Sequence, residues 1–176
     1  MKTLSMISLM AIFFAGCKTE TSTTATNTDT TKPNIEFAYK IEHAADNWVP
    51  GDLNHVATFL NALKAFETND IAKCVTYFGD SIVLEFDGFE TKVPHDSLES
   101  VFTHSRSEYG KMTIKMEDWE SVISKDKKTE YVSAWYKQIW TNNGKTDSLD
   151  VMNDARIKNG KIVSISEKTR HYAVKK

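Results

Sequence analysis

The segment from Lys111 to Tyr172 constrains the fold more than any other part of the sequence. Apolar and polar residues alternate along it in four stretches, and a period of two is typical of β-strands. Turn-forming residues separate the stretches at Asp126-Lys127-Lys128, Asn142-Asn143-Gly144 and Asn159-Gly160. Asn-Gly between two alternating stretches is the strongest short hairpin signal. We therefore predict four consecutive antiparallel strands joined by tight turns.

The first two of these strands carry further signals. In the first strand the apolar side chains change phase, because one face holds Met112, Ile114 and Met116 and the other holds Trp119 and Ile123. A β-bulge near Glu117-Asp118 would produce this change and would bend the sheet. The second strand, Glu130 to Trp140, is apolar or aromatic on both faces, which predicts a central strand.

Three amphipathic helices are predicted before the strands. Their apolar spacing places them over about Leu53 to Glu67, Ile71 to Phe78 and Asp96 to Tyr109. Asp52 is placed to cap the first helix, and Asp96 with Glu99 has the spacing of a capping box at the third. Between the second and third helices, Asp87-Gly88 predicts a small hairpin.

The N-terminal segment has the pattern of a secretory signal. An apolar run from Leu4 to Phe14 is shorter than the roughly 20 residues of a membrane-spanning helix and suits the centre of a signal peptide. Ala15-Gly16 directly before Cys17 resembles the lipobox of bacterial lipoproteins, although Phe14 stands where that motif most often has Leu. The resemblance implies that residues 1–16 are removed and that Cys17 carries the lipid. An ordinary cleaved signal with a stray cysteine is the alternative.

Residues 17–34 are rich in Thr and nearly free of apolar side chains, which predicts a disordered tether before a single domain at 35–176. Several acyl chains on Cys17 would anchor this tether stably in a membrane. Lys18 follows the cysteine where Asp would direct retention in the inner membrane, so the lipoprotein resemblance implies the cell envelope and its outer membrane. The sequence does not choose between the periplasmic side and the cell surface.

Charge and cysteine content exclude several classes of function. The net charge is −2 and the pI is about 6.2, without a Lys/Arg cluster, so a nucleic-acid partner is not expected. Cys17 belongs to the processing signal, which leaves Cys74 without a disulfide partner and predicts a small buried hydrophobe there. The five histidines lack metal-ligand spacing, so we expect neither a metal site nor another cofactor.

Asp150 and Asp154 are the candidate catalytic residues, since they share one face of the third strand of the meander. A carboxylate in an apolar cavity acts as a general base when burial shifts its pKa toward neutrality. If their face is the outer one, both are solvated, and Arg156 beside them favours that alternative. His104, near the apolar stripe of the third helix, is the third candidate, with an exposed helix flank as its alternative.

Aromatic residues are numerous in the predicted sheet. Trp119, Trp135 and Tyr136 are candidates for the walls of a pocket that holds a small apolar molecule. The alternative is that they fill the core or a dimer contact, because each ring buries a large area.

The order of helix, helix, hairpin, helix and four-stranded meander resembles the SnoaL-like branch of the nuclear transport factor 2-like superfamily. The resemblance covers about Asp52 to Tyr172 and rests on the apolar segment Val56 to Phe78, the Asp87-Gly88 turn and the Gly160-Lys161-Ile162 turn. It implies a cone-shaped α+β fold, with a curved antiparallel sheet wrapped around three N-terminal helices, a cavity, and homodimers formed through the sheet. Fold does not select an activity. We expect non-catalytic binding of a small hydrophobic ligand or a protein partner, with a small cyclase, isomerase or dehydratase that uses an Asp base as the alternative.

Overall fold

The computed structural model describes residues 38–39 and 47–171. The predicted signal peptide, the lipidation site Cys17 and the tether lie outside the described residues, as does Tyr172 at the predicted end of the last strand.

The described chain alternates short helical segments with strands. In chain order the elements are β1 (Trp48–Pro50), α1 (Leu53–Glu67), α2 (Ile71–Val75), β2 (Phe78–Phe86), β3 (Phe89–Pro94), α3 (His95–Ser107), β4 (Lys111–Ser124), β5 (Glu130–Asn142), β6 (Lys145–Lys158) and β7 (Lys161–His171). The strands form one sheet in the order β1-β4-β5-β6-β7-β2-β3. Neighbouring strands are antiparallel except β2 and β7, which are parallel. The predicted meander, the hairpin and the central position of β5 are confirmed.

Two turns of the meander are formed by the Asn-Gly pairs that the sequence predicts as turns. Asn143 and Gly144 have φ angles of 50° and 75°, and Asn159 and Gly160 have 52° and 71°. Two successive positive φ angles define the type I′ turn, whose twist matches that of the flanking strands. Because each turn fixes which residues face each other, the two turns set the register from β5 to β7.

The predicted bulge is present in β4. The pairing of β4 with β5 shifts between Met116 and Asp118. Met116 lies opposite Tyr136 and Trp119 opposite Ala134, so the bulge returns Trp119 to the face that carries Met116. The change of phase in the sequence therefore marks one extra residue in the strand, as a bulge requires.

Two helix boundaries differ from the prediction. The second helix ends at Val75, and Phe78 begins β2 opposite Ile162, because strand pairing outweighs helical apolar spacing there. The predicted capping box of α3 is wrong: the N-cap is Pro94, and no side chain caps the helix. The predicted cap of α1 is confirmed, since the Asn54 N–H donates to Asp52 Oδ1 at 2.8 Å.

The core lies between the three helices and one face of the sheet, which we call the inner face; the opposite face is the outer face. Alternation along β5 and β6 sends one set of side chains inward, and these buried residues are Val132, Ala134, Tyr136, Leu149, Val151, Ala155 and Ile157. They pack with Val56, Phe59 and Ala62 of α1 and with Leu98 and Phe102 of α3. This confirms the α+β fold class, a curved sheet packed on three helices.

Arg106 joins the C-terminal ends of α1 and α3. It is 6% exposed, and its guanidinium donates to the backbone carbonyls of Phe66, Glu67, Tyr109 and Gly110 at 2.7 to 3.1 Å. Carbonyls at helix C-termini have no intrahelical partner, so these bonds satisfy groups that burial would otherwise leave unpaired.

Candidate functional site

A cavity of about 160 Å³ lies between the inner face and the helices, and we call it the inner cavity. The residues that line it are Phe59, Ala62, Leu63, Phe66, Cys74, Phe78, Leu84, Phe86, Val101, Phe102, Ser105, Tyr109, Tyr136, Gln138, Asn153, Ile165 and Glu167. Phe86 and Val101 are exposed and therefore mark its mouth. The walls are mostly apolar, with a small polar group on the strand side.

The phenylalanine walls hold one another in defined orientations. The ring of Phe102 meets that of Phe78 at 5.1 Å between centroids and that of Phe66 at 6.0 Å, with interplanar angles of 70° and 79°. Aromatic pairs favour such edge-to-face arrangements. One helix residue therefore links rings from α1 and β2 into a continuous wall.

The polar group of the cavity consists of Tyr136, Asn153 and Glu167 on neighbouring strands. Asn153 Nδ2 donates to the Tyr136 hydroxyl at 2.6 Å and reaches Glu167 Oε2 at 3.4 Å. The carboxylate favours this orientation of the amide, because the rotated amide would face it with an oxygen. Asn153 Oδ1 is then buried without a hydrogen-bond partner among the described residues.

Burial alters the acidity of the groups in this cluster. The pKa of Glu167 is raised, first by burial and then by the charge of Asp87, while the hydrogen bond from Asn153 opposes the shift. Burial is also the first cause that raises the pKa of Tyr136 and of Tyr109, and the charge of Glu167 adds to both shifts. Both phenols therefore keep their protons at neutral pH, and Glu167 holds a proton more readily than an exposed carboxyl group.

Asp150 and Asp154 lie on the outer face and do not line the inner cavity, which answers the question that the sequence left open. Asp150 accepts from Lys137 and Arg170, while Asp154 accepts from the Ser133 hydroxyl and lies 3.5 Å from Lys168 Nζ. The reason is the alternation of β6, which sends its apolar residues toward the helices and these acids away from them.

The outer face has a depression of its own, more polar than the inner cavity. Its volume is about 650 Å³, and its lining residues include Glu85, Tyr131, Asp154, Arg156 and Ser166. Arg156 is exposed, as expected for a polar strand face in contact with solvent. The two candidate acids therefore belong to a solvated surface.

Of the other site residues predicted from the sequence, one lines the inner cavity and three do not. Tyr136 lines the inner cavity, whereas Trp135 lies on the outer face and His104 is exposed on α3. Trp119 points to the inner side of the sheet but is 41% exposed and does not reach the cavity.

The sequence reasoning missed Asn153 and Glu167. Both occupy inward positions of strands whose other inward residues are apolar: Asn153 follows Val151, and Glu167 follows Ile165. A polar residue within an apolar strand face was the available signal, because burial of such a group needs a partner or a function.

The described residues give no support for a metal site, a reactive cysteine or a membrane-spanning helix. They contain no group of three or more His, Cys, Asp or Glu that could hold a metal ion. Burial raises the pKa of Cys74 to about 12, which keeps its thiol protonated and unreactive. None of the helices from Trp48 to His171 has the length and hydropathy needed to cross a bilayer.

Comparison with solved structures shows the same fold in other proteins. An LEH-like epoxide hydrolase of M. tuberculosis matches with a TM-score of 0.54 and 13% identity, over 67% of this chain and 84% of that one. AusH from Aspergillus nidulans matches with a TM-score of 0.55 and 13% identity, over 69% of this chain and 87% of AusH. Bal32a from a soil-derived mobile gene cassette matches with a TM-score of 0.54 and 15% identity, over 66% of this chain and 89% of Bal32a.

The likeness to these structures shows a shared α+β fold, with a curved antiparallel sheet packed on helices. At these identities the likeness shows the fold alone and carries no activity. No family model matches the sequence, and no curated protein is significantly similar to it. The function must therefore be argued from the inner cavity itself.

Proposed function

We propose that the domain binds a small, compact, largely apolar molecule in the inner cavity. The observation that carries the proposal is a mostly apolar cavity with the polar group of Tyr136, Asn153 and Glu167 on its strand side. Small-molecule sites commonly have this form, in which apolar walls hold the ligand and a few polar groups fix its orientation.

The size of the cavity limits the ligand. An engineered protein cavity of about 150 Å³ lined by apolar side chains takes up benzene, and the inner cavity has about 160 Å³. The ligand is therefore about the size of one six-membered ring with a short substituent. The exposed Phe86 and Val101 at the mouth allow a substituent to extend outward.

Native mass spectrometry of the protein purified from its own host tests this proposal. The wild type is expected to retain one small molecule, and Ala62→Leu is expected to lose it, because Ala62 is 3% exposed and lines the cavity. Asp154→Asn on the outer face is the matched control and should retain the molecule. Equal retention by Ala62→Leu and wild type, with both folded by circular dichroism, would refute binding in this cavity.

A second candidate function is acid–base catalysis of the cyclase, isomerase or dehydratase type with Glu167 as the base. The raised pKa of Glu167 favours it, since a base of higher pKa takes a proton from carbon more readily. Tyr136 would then donate a hydrogen bond to the substrate oxygen. Asp150 and Asp154 are poor choices for this role, because both lie on the outer face with cationic partners.

Proton exchange on a small ketone tests the catalytic candidate. With cyclohexanone in D₂O, the wild type should speed the loss of the α-proton signal in the NMR spectrum, and Glu167→Gln should abolish the effect. Asp154→Asn should behave as wild type. An effect of the same size in Glu167→Gln would exclude Glu167 as the base.

We further propose that lipid on Cys17 anchors the domain in the cell envelope, at the outer membrane, and that a homodimer forms through the sheet. The lipobox-like sequence before Cys17 supports the anchor, and Trp135 and Tyr131 on the outer face support a sheet contact. Cys17→Ser should move the protein from the detergent phase to the aqueous phase in a Triton X-114 partition. Light scattering that gives the mass of a monomer would contradict the dimer.

A further inference from the structure

Glu167 lines the mostly apolar inner cavity and has no cation beside it among the described residues. Most of the other buried or partly buried carboxylates are paired with a cation: Glu67 with Lys64, Asp154 with Lys168, and Asp150 with Lys137 and Arg170. Within residues 47–171 Glu167 forms no ion pair, and no Lys, Arg or His lines the inner cavity. A carboxylate in an apolar wall without a partner is costly, so a missing partner needs an explanation.

We infer that the ligand of the inner cavity is a small organic cation, an ammonium group on an apolar body of about one ring. This inference rests on the proposed function, since it assigns the chemical class of the molecule that the cavity binds. The ammonium supplies the positive charge that the cavity lacks, because its N–H bonds donate to the Glu167 carboxylate and its charge pairs with that group.

The walls of the cavity favour a cation as well. The aromatic residues that surround the space include Phe66, Phe78, Phe102 and Tyr109. The faces of aromatic rings attract a cation within about 6 Å, most strongly where water is excluded. The apolar body of the ligand packs on the same side chains, so one wall serves both parts of the molecule.

The charges around Glu167 exclude an anion and disfavour a neutral ligand. Asp87 at the β2–β3 turn adds negative potential, while Tyr136 on β5, Tyr109 after α3 and Asn153 on β6 are uncharged. An anion would meet only repulsion. A neutral alcohol would leave Glu167 without a charged partner.

Isothermal titration with three ring-sized probes tests the inference: benzylamine, benzyl alcohol and toluene. The wild type should bind benzylamine about ten-fold or more tightly than benzyl alcohol, since a charge-assisted hydrogen bond replaces a neutral one. Glu167→Gln should reduce that ratio to near one. Asp154→Asn is the matched control on the outer face and should keep the wild-type ratio.

The outcomes separate this inference from the proposed function. Binding of benzyl alcohol or toluene as tight as that of benzylamine would overturn the cation and leave the small-molecule site in place. Binding of none of the three probes would count against both. If Glu167→Gln leaves the ratio of benzylamine to benzyl alcohol affinity unchanged, the preference for the cation comes from other groups and the role of Glu167 is refuted. The ratio in the wild type remains informative even if Glu167→Gln does not fold.

Discussion

Replacement of Arg106 by Lys should destabilise the domain strongly even though the charge is kept. The guanidinium makes four hydrogen bonds to backbone carbonyls, and a lysine ammonium at this depth reaches fewer of them. Hydrogen bonds to a charged group contribute about 1.5–3 kcal/mol each. The loss of two, with partial relief by water, gives about 3–5 kcal/mol, which corresponds to a fall in melting temperature of roughly 10–20 °C for a domain of this size.

Thermal unfolding followed by circular dichroism measures this effect, with Arg156→Lys on the exposed outer face as the matched control. Arg156→Lys should change the free energy of unfolding by less than about 0.5 kcal/mol. Phe66 and Tyr109 both line the inner cavity, so Arg106→Lys should also weaken ligand binding. A melting temperature within a few degrees of wild type would show that the four bonds to Arg106 are not the connection between α1 and α3 that we describe.

Three further predictions concern pH, thiol chemistry and a helix cap. Because the pKa of Glu167 is raised above its ordinary value of 4.5, the folded state binds this proton more tightly than the unfolded state. The contribution of Glu167 to stability therefore falls as pH rises above that value. In urea unfolding, Glu167→Gln should have a higher free energy of unfolding than wild type at pH 7 but not at about pH 4. An equal difference between the two proteins at both pH values would contradict this. Cys74, with a pKa of about 12, should not react with iodoacetamide in the native protein and should react after unfolding in urea at alkaline pH, whereas native labelling would refute its burial. Asp52→Ala should cost about 1 kcal/mol in urea unfolding, because the Asn54 N–H loses its acceptor, and a neutral effect would show that another group caps α1.

The strands could be predicted because their signals are local. Asn159-Gly160 fits the type I′ turn by its own conformational preference, and the change of phase between Met116 and Trp119 records the bulge directly. The boundaries that failed depend on tertiary contacts. Phe78 has helical spacing with Cys74 but pairs with β7, and Pro94 begins α3 where a side-chain cap was expected.

The candidate site could be predicted only in part. Alternation showed that Asp150 and Asp154 share a face, but the position of the helices decides that this face is the outer one. Asn153 and Glu167 lie next to each other on β6 and β7, a pairing that no spacing within either strand reveals. Their chemistry depends on the depth of the cavity, which is a property of the packed helices rather than of either strand.

The most direct test of the inner cavity as a binding site is an NMR titration of the isotope-labelled protein with benzylamine. The side-chain amide signal of Asn153 should shift and saturate, together with the methyl signals of Leu84, Val101 and Ile165, because these groups line the cavity. Signals near Asp154 on the outer face should stay in place. Shifts confined to the outer face, or no shifts at saturating benzylamine, would contradict the assignment of the inner cavity as the functional site.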